Sequence, residues 1–282
     1  MKRNLKYRYP KSLREEIDGK RHYVYGKDKL PSVTTILSAT SPKEKEDSLA
    51  NWRARIGEEA AAKITKESAE RGTAMHKILE KYILEEGYVD LTNVGKQAHN
   101  MAIRVIEQGL SNVPEFYGIE CTLFYPGLYA GQTDLVALHK DEPAIIDFKQ
   151  TNKPKRREWI EDYCLQLAAY GMAHDYMHKT TINKGVIMMC SKDNYYQEFV
   201  IEGAEYKKYK YKWLKGSVNT MIREPIMNVR MSKLNKLANQ VNKTEDKDLK
   251  RIWTNQWYKL CRKYGNELME KYESKRSTTG TR

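Results

Sequence analysis

Hydrophobic positions change their spacing along the chain, and each change marks a different element. Residues 47–66 are Ala- and Glu-rich and predict a helix. From Glu67 to Leu84, Ala74, Ile78, Leu79, Tyr82 and Ile83 recur at helical spacing and predict a second helix with one apolar face. Residues 95–110 predict a third. Upstream, Ser41-Pro42 reads as a cap followed by proline at the first helical position. Leu30 to Leu37 is β-branched and opens on proline, which reads as a strand. Residues 19–27, with β-formers between Gly-Lys turns, read as a short hairpin.

The period then shortens. Tyr117–Tyr125, Gly131–Leu138 and Ala144–Gln150 are β-rich runs separated by Pro126-Gly127 and by His139 to Pro143, both turn signals. A long helix from Arg157 to about His178 follows, then strands Gly185–Ser191 and Tyr195–Ile201. This order predicts an α/β (α+β) fold in which helices pack on a mixed central sheet. Three segments are expected: a hairpin and helical region over 1–110, a core over 111–215, and a basic helical appendage over 216–282.

Composition narrows the classes. Hydrophobic residues make up 40% of the 282, enough for a buried core, so wholesale disorder is excluded. The longest apolar run, Val186–Cys190, is far short of the roughly 20 residues of a spanning helix. The first residues show no apolar leader, and Glu15, Glu16 and Asp18 count against a transit peptide, so a soluble, intracellular protein with no membrane partner is expected. Cysteines at 121, 164, 190 and 261 are too scattered for a zinc site or a disulfide framework. Of the net charge of +13, residues 203–282 carry +12, from 20 Lys and Arg against 8 Asp and Glu. Tyr206, Tyr209, Tyr211, Trp213, Trp253, Trp257 and Tyr258 are interleaved with that charge. The mixture suits single-stranded nucleic acid, with cations on phosphates and rings on bases; the alternative is a solvated helix that buries its rings.

The strongest chemistry lies in the β-rich run. Gly131-Gln-Thr-Asp134-Leu and Ile145-Ile-Asp147-Phe-Lys149 are joined by a short turn and predict an antiparallel hairpin. If Leu138 pairs near Ala144, Asp134 stands across from Asp147 or one position away. Asp147 and Lys149, two apart, share a strand face. An Asp/Lys ion pair at a strand end would explain that triplet alone. Two carboxylates beside one lysine in a sheet are costly without a cation, and hard oxygen donors suit Mg²⁺ or Mn²⁺. A lysine beside such an ion can orient, or help deprotonate, the water that attacks a phosphodiester.

These motifs resemble the PD-(D/E)XK nuclease superfamily, in its RecB-like exonuclease branch, with the mitochondrial genome maintenance exonucleases and their bacteriophage relatives. The likeness runs from about Leu30 to Lys215. It is carried by Pro31-Ser-Val-Thr-Thr-Ile36, Trp52-Arg-Ala-Arg-Ile-Gly57, Arg71-Gly-Thr-Ala-Met-His76, Gly131-Gln-Thr-Asp134, Asp147-Phe-Lys149 and Gln166-Leu-Ala-Ala-Tyr170. It implies a restriction-endonuclease-like core. Asp134, Asp147 and His76 would be metal ligands, joined by the carbonyl of Phe148, with Lys149 as the catalytic lysine. Gln166 and Tyr170, one helical turn apart, would line the site. Glu120 reads as a neighbour of the metal or as an edge-strand charge; Glu80 reads as a partner for His76 or as a solubilising residue. Ser32, Thr34, Thr35, Trp52, Arg53, Arg55, Arg71 and Thr73 are phosphate contacts by chemistry. The isolated cysteines argue against an iron–sulfur cluster.

The expected activity is a Mg²⁺- or Mn²⁺-dependent DNA exonuclease of phage type, preferring single strands or free ends, in DNA replication, recombination or repair. The helices of 47–110 would form an arch for a threaded strand. The basic tail would add grip on DNA or dock a replication or recombination protein. A structure-specific endonuclease and a non-catalytic DNA-binding accessory protein are the competing readings.

Overall fold

The computed structural model describes residues 1–17, 19–25, 28–125, 128–222, 246–248 and 250–252. Residues 1–125 and 129–213 pack as one compact unit; residues 126–128 and 214–282 form a second. Trp253, Trp257 and Tyr258, most of the 216–282 appendage and Cys261 lie outside the described residues.

The first unit is built on a six-stranded mixed sheet. Its strands are β1 (Lys2–Arg3), β5 (Glu115–Tyr125), β6 (Tyr129–His139), β7 (Glu142–Thr151), β8 (Lys184–Ser191) and β9 (Tyr196–Glu202), side by side in that order. The β2–β4 strands are Leu13–Ile17, Lys20–Tyr25 and Asp28–Pro31, and they form a separate three-stranded meander. β5, β6 and β7 pair antiparallel, as do β8 and β9, whereas β7 and β8 are parallel. A parallel pair needs a crossover, and α5 (Glu161–His178) supplies it. Every residue of β8 is buried, as expected of a strand covered on both faces.

Two long helices, α3 (Glu58–Ile83) and α4 (Asn93–Gln108), cover one face of the sheet. Met75, Leu79, Met101 and Val105 share a single cluster there with Leu135, Ile146, Phe148 and Met188. The expected boundary at 110/111 therefore does not separate packing units. α5 buries half of its 18 residues, Leu167, Ala168, Ala169 and Met172 among them, and exposes none fully. A further helix, α6 (Gly203–Ile222), begins inside the first unit. There Tyr206 and Trp213 are buried, so these two rings serve the core and are not exposed for base stacking.

Local expectations are corrected at five places. Leu30–Leu37 is not a strand: extended structure stops at Pro31, and α1 (Val33–Ala39) begins behind Ser32, whose hydroxyl accepts the Thr35 N–H at 3.0 Å. A capping hydroxyl outweighs the strand preference of β-branched residues. α2 (Lys43–Ile56) has Pro42, not Ser41, at its cap position. The break between helices falls at Gly57, at a φ of 87° that suits glycine, so Glu67 begins nothing and α3 runs unbroken for 26 residues. Residues 19–27 are not a hairpin in themselves; they contain the middle strand of the meander. Tyr82, expected on the apolar face of its helix, is exposed.

Candidate active site

The β6–β7 register is Ala137↔Ala144 and Leu135↔Ile146. One step further along the same register sets Asp134 opposite Asp147. Ile146 and Phe148 face the α3–α4 layer, so Asp147 and Lys149 project to the other side. There the Lys149 Nζ lies 5.2 Å from the centre of the Tyr163 ring of α5. The backbone N–H of Phe148 donates to Asp134 Oδ2 at 2.7 Å, which fixes that carboxylate between the strands. From α3, His76 Nδ1 reaches within 3.5 Å of Asp134 Oδ1.

Glu120 completes the cluster. Its ligand oxygen, one from Asp134 and a ring nitrogen of His76 all lie within 4.8 Å of one another. Glu120 sits where the β5–β6 ladder skips from Ile119↔Leu135 to Cys121↔Thr133. Its φ of 49° is costly for a residue with a side chain, and its carbonyl accepts from Gln132 Nε2 at 3.0 Å. Beside this triad, Asp147 and Lys149 form a buried ion pair. Both Asp147 oxygens are buried without a hydrogen bond of sound geometry. An acidic donor set with a buried carboxylate that has Lys149 alone beside it fits a hard divalent cation.

The protonation states follow from this packing. Burial works to lower His76, but Asp134 outweighs it and holds the imidazole up at about 9. Burial works to raise Asp134, yet its pairing with His76 brings it below the usual carboxylate value. Burial pushes Asp147 up to about 6 and, with the Asp134 charge beside it, Glu120 up to about 7. Burial opposes the Lys149 charge, but Asp147 and Asp134 win and raise its pKa, so it is an ammonium.

A cleft of about 470 Å³ opens over the cluster. Gln166 and Tyr170 stand together in its wall, with Gln166 Nε2 donating to the Tyr170 hydroxyl at 3.4 Å. Ser32, Thr34, Thr73 and Glu80 also line it. The Ser32 hydroxyl is engaged as the α1 cap, and the Thr35 hydroxyl donates to the Arg21 carbonyl. Glu80 pairs with Lys77 at 2.8 Å. Trp52, Arg53 and Arg55 lie on α2, away from the cleft wall. Arg71 is not placed to grip a phosphate: it is buried and bonded to Gln150, Gln97, Ser68 and Asn152. A guanidinium in the core needs such amide acceptors. The cleft also holds residues that sequence reasoning missed, above all Arg14, Arg21 and Tyr23 of the meander. No linear motif marks them, because only the folded sheet brings them to the site.

No protein-family model matches the chain. It is 29% identical over 177 residues to mitochondrial genome maintenance exonuclease 1 of Mus musculus, covering 59% of this chain and 51% of that protein. The Xenopus tropicalis protein of the same name is 27% identical over 210 residues, 64% of this chain and 58% of that one. The Homo sapiens protein is 28% identical over 179 residues, 58% and 50% respectively. This chain is similar to mitochondrial genome maintenance exonuclease 1. That likeness agrees with the resemblance to PD-(D/E)XK exonucleases carried by the motifs. The chain spans about half the length of the curated relatives it matches. A solved structure of a candidate exonuclease from Eubacterium rectale matches at 10% identity and a TM-score of 0.38, over 60% of this chain and 68% of that one.

Proposed function

We propose that this chain is a metal-dependent DNA nuclease acting as an exonuclease on single strands or free ends, in phage-type DNA replication, recombination or repair. The observation that carries the reading is the convergence of His76, Glu120 and Asp134 beside the buried Asp147–Lys149 pair, in one cleft. His76, Asp134 and Glu120, with Asp147 and the Phe148 carbonyl, would hold Mg²⁺ or Mn²⁺, which supplies the charge that polarises a phosphoryl oxygen.

The chain's own groups do the rest. Lys149, held by Asp147 with N–H donors to spare, orients the attacking water and offsets charge on the phosphate. Tyr170 and Gln166 present polar tips from α5 to the scissile group. α2 buries none of its residues and is tied to the start of α5 by Lys45–Asp162. That supports its part in an arch that admits a threaded strand, with Trp52, Arg53 and Arg55 and the hydroxyls of Thr34 and Thr73 along the path. DNA is the partner; among the described residues no helix is long and apolar enough to cross a membrane.

Digestion of linear against covalently closed single-stranded DNA tests the reading. A free-end enzyme degrades the linear strand and spares the circle. Equal rates on both would replace it with an endonuclease.

A further inference from the structure

We infer that the meander β2–β4 is the phosphate clamp of the cleft, with Arg14 and Arg21 holding the backbone phosphates of a polynucleotide strand next to the phosphate at the acidic cluster. The inference rests on the nuclease reading and names what that site takes: a strand with several phosphates, not a mononucleotide or a phosphomonoester.

The register places the clamp. β2 and β3 pair as Arg14↔Tyr23 and Glu16↔Arg21. Opposed residues of an antiparallel pair share a face, as do residues two apart. Arg14, Arg21 and Tyr23 are therefore on one face, and all three line the cleft. Arg21 is held firmly: its carbonyl accepts from the Ser32 N–H at 2.9 Å and from the Thr35 hydroxyl at 3.0 Å, which ties β3 to the cap of α1.

Charge decides between a structural and a binding role. Besides His76, which is paired with Asp134, four lysines and arginines line the cleft: Arg14, Arg21, Lys77 and Lys149. Lys77 is paired with Glu80, and Lys149 with Asp147. Among the described residues no carboxylate lies within ion-pair distance of either arginine, although Glu16 stands opposite Arg21 in the ladder. Both arginines are exposed. The lining thus combines Glu80, Glu120 and Asp134, suited to a cation, with two guanidinium groups that no carboxylate of the described residues neutralises; Arg21 is hydrogen-bonded to the Tyr23 hydroxyl, which leaves its charge uncompensated. A nucleic-acid strand brings a charge about every 3.4 Å of rise, so a phosphate at the cluster is flanked by others. Guanidinium forks bind phosphate oxygens in pairs. A ligand with a single phosphate, seated at the acidic cluster, would leave the two guanidinium groups unused.

The test is equilibrium binding of a fluorescein-labelled oligothymidylate, by anisotropy in EDTA over a series of KCl concentrations. It compares the wild type with Arg14→Gln/Arg21→Gln, Arg14→Lys/Arg21→Lys and Lys29→Gln. Lys29 is on the same sheet, salt-bridged to Glu15 and absent from the cleft wall. Two lost phosphate contacts, at about 0.7 each for single strands, should lower the salt slope of log Kd by about 1.4 and weaken binding about tenfold. The lysine pair should keep the slope with weaker binding, and Lys29→Gln should match the wild type. Near-UV circular dichroism checks folding; if the double glutamine variant fails to fold, the two single variants, at half the slope change each, take its place. An unchanged slope overturns the clamp even if the wild type cleaves DNA. Wild-type binding with the slope change but no cleavage on adding Mg²⁺ overturns the nuclease reading and leaves the clamp standing. No binding by the wild type overturns both.

Discussion

At the scale of single residues, the cluster sets three carboxyl groups, Glu120, Asp134 and Asp147, against two cationic partners, His76 and Lys149. Asp134 satisfies itself through the Phe148 N–H and His76. Asp147 has Lys149 and Glu120 has no ion pair among the described residues, and their raised pKa values, at about 6 and about 7, record the cost of ionising carboxyls out of water. A group held protonated above its ordinary value favours the fold while the proton is on and loses that contribution as pH rises through the folded value. For Glu120 the loss falls between about 4.5 and about 7. A bound cation replaces the proton, so protons and metal compete. Mn²⁺ at a hundredfold excess over its Kd should therefore raise unfolding free energy by about 2.7 kcal/mol, with a larger gain at pH 8 than at pH 6. Thermal denaturation with and without Mn²⁺ measures this, and Asp134→Asn should lose most of the gain. A gain that is the same in that variant, or that shrinks as pH rises, would place the cation elsewhere. Asp134, Asp147, Lys149 and His76 could be read from the chain because they fall in short motifs on regular elements. Arg14 and Arg21 could not, since a meander far upstream carries them to the cleft. The backbone turn at Glu120 has no sequence signature either; only the skipped ladder position reveals it.

At the scale of elements, strand and helix periods in the middle of the chain were legible because burial dictates them. β7, β8 and α5 match their expected spans within a few residues. The misreadings cluster where one polar atom or one glycine outvotes the pattern. Ser32 turns a β-branched run into α1, and Gly57 moves the helix break by ten residues. Ser32→Ala should cost about 1 kcal/mol as a lost cap, read as a lower urea midpoint at constant slope. No change in the midpoint would mean that the hydroxyl is not capping. A second element-level test concerns the packing of the N-terminal segment on α5. His174 is fully buried, with Tyr9 Oη at 3.1 Å on Nε2, Thr180 Oγ1 at 2.8 Å on Nδ1 and the rings of Tyr7 and His178 against it. Burial, and then His178, lower its pKa from its ordinary value to about 3. The folded state keeps it neutral, so stability is full above about 6.5 and falls as pH drops toward 3. Unfolding free energy measured from pH 7 down to pH 4 should fall more steeply in the wild type than in His174→Gln. Parallel curves would contradict the assignment.

At the scale of the molecule, one mixed sheet organises the first unit. It holds α3 and α4 on one face and α5 across the other, and it brings β5, β6 and β7 together where their carboxylates meet His76 from α3. The charge imbalance of the sequence divides into two parts. The first turns of α6 turn Tyr206 and Trp213 inward, while the further basic stretch lies beyond the described residues. The measurement closest to the central claim is hydrolysis of end-labelled linear single-stranded DNA by the wild type and by Lys149→Ala, in Mg²⁺ or Mn²⁺ and then in EDTA. The account predicts cleavage by the wild type with either metal, none in EDTA, and a loss of at least about a hundredfold in the variant, on the order of a catalytic electrostatic contact. Cleavage that persists in EDTA, or that is equal in Lys149→Ala, would contradict it.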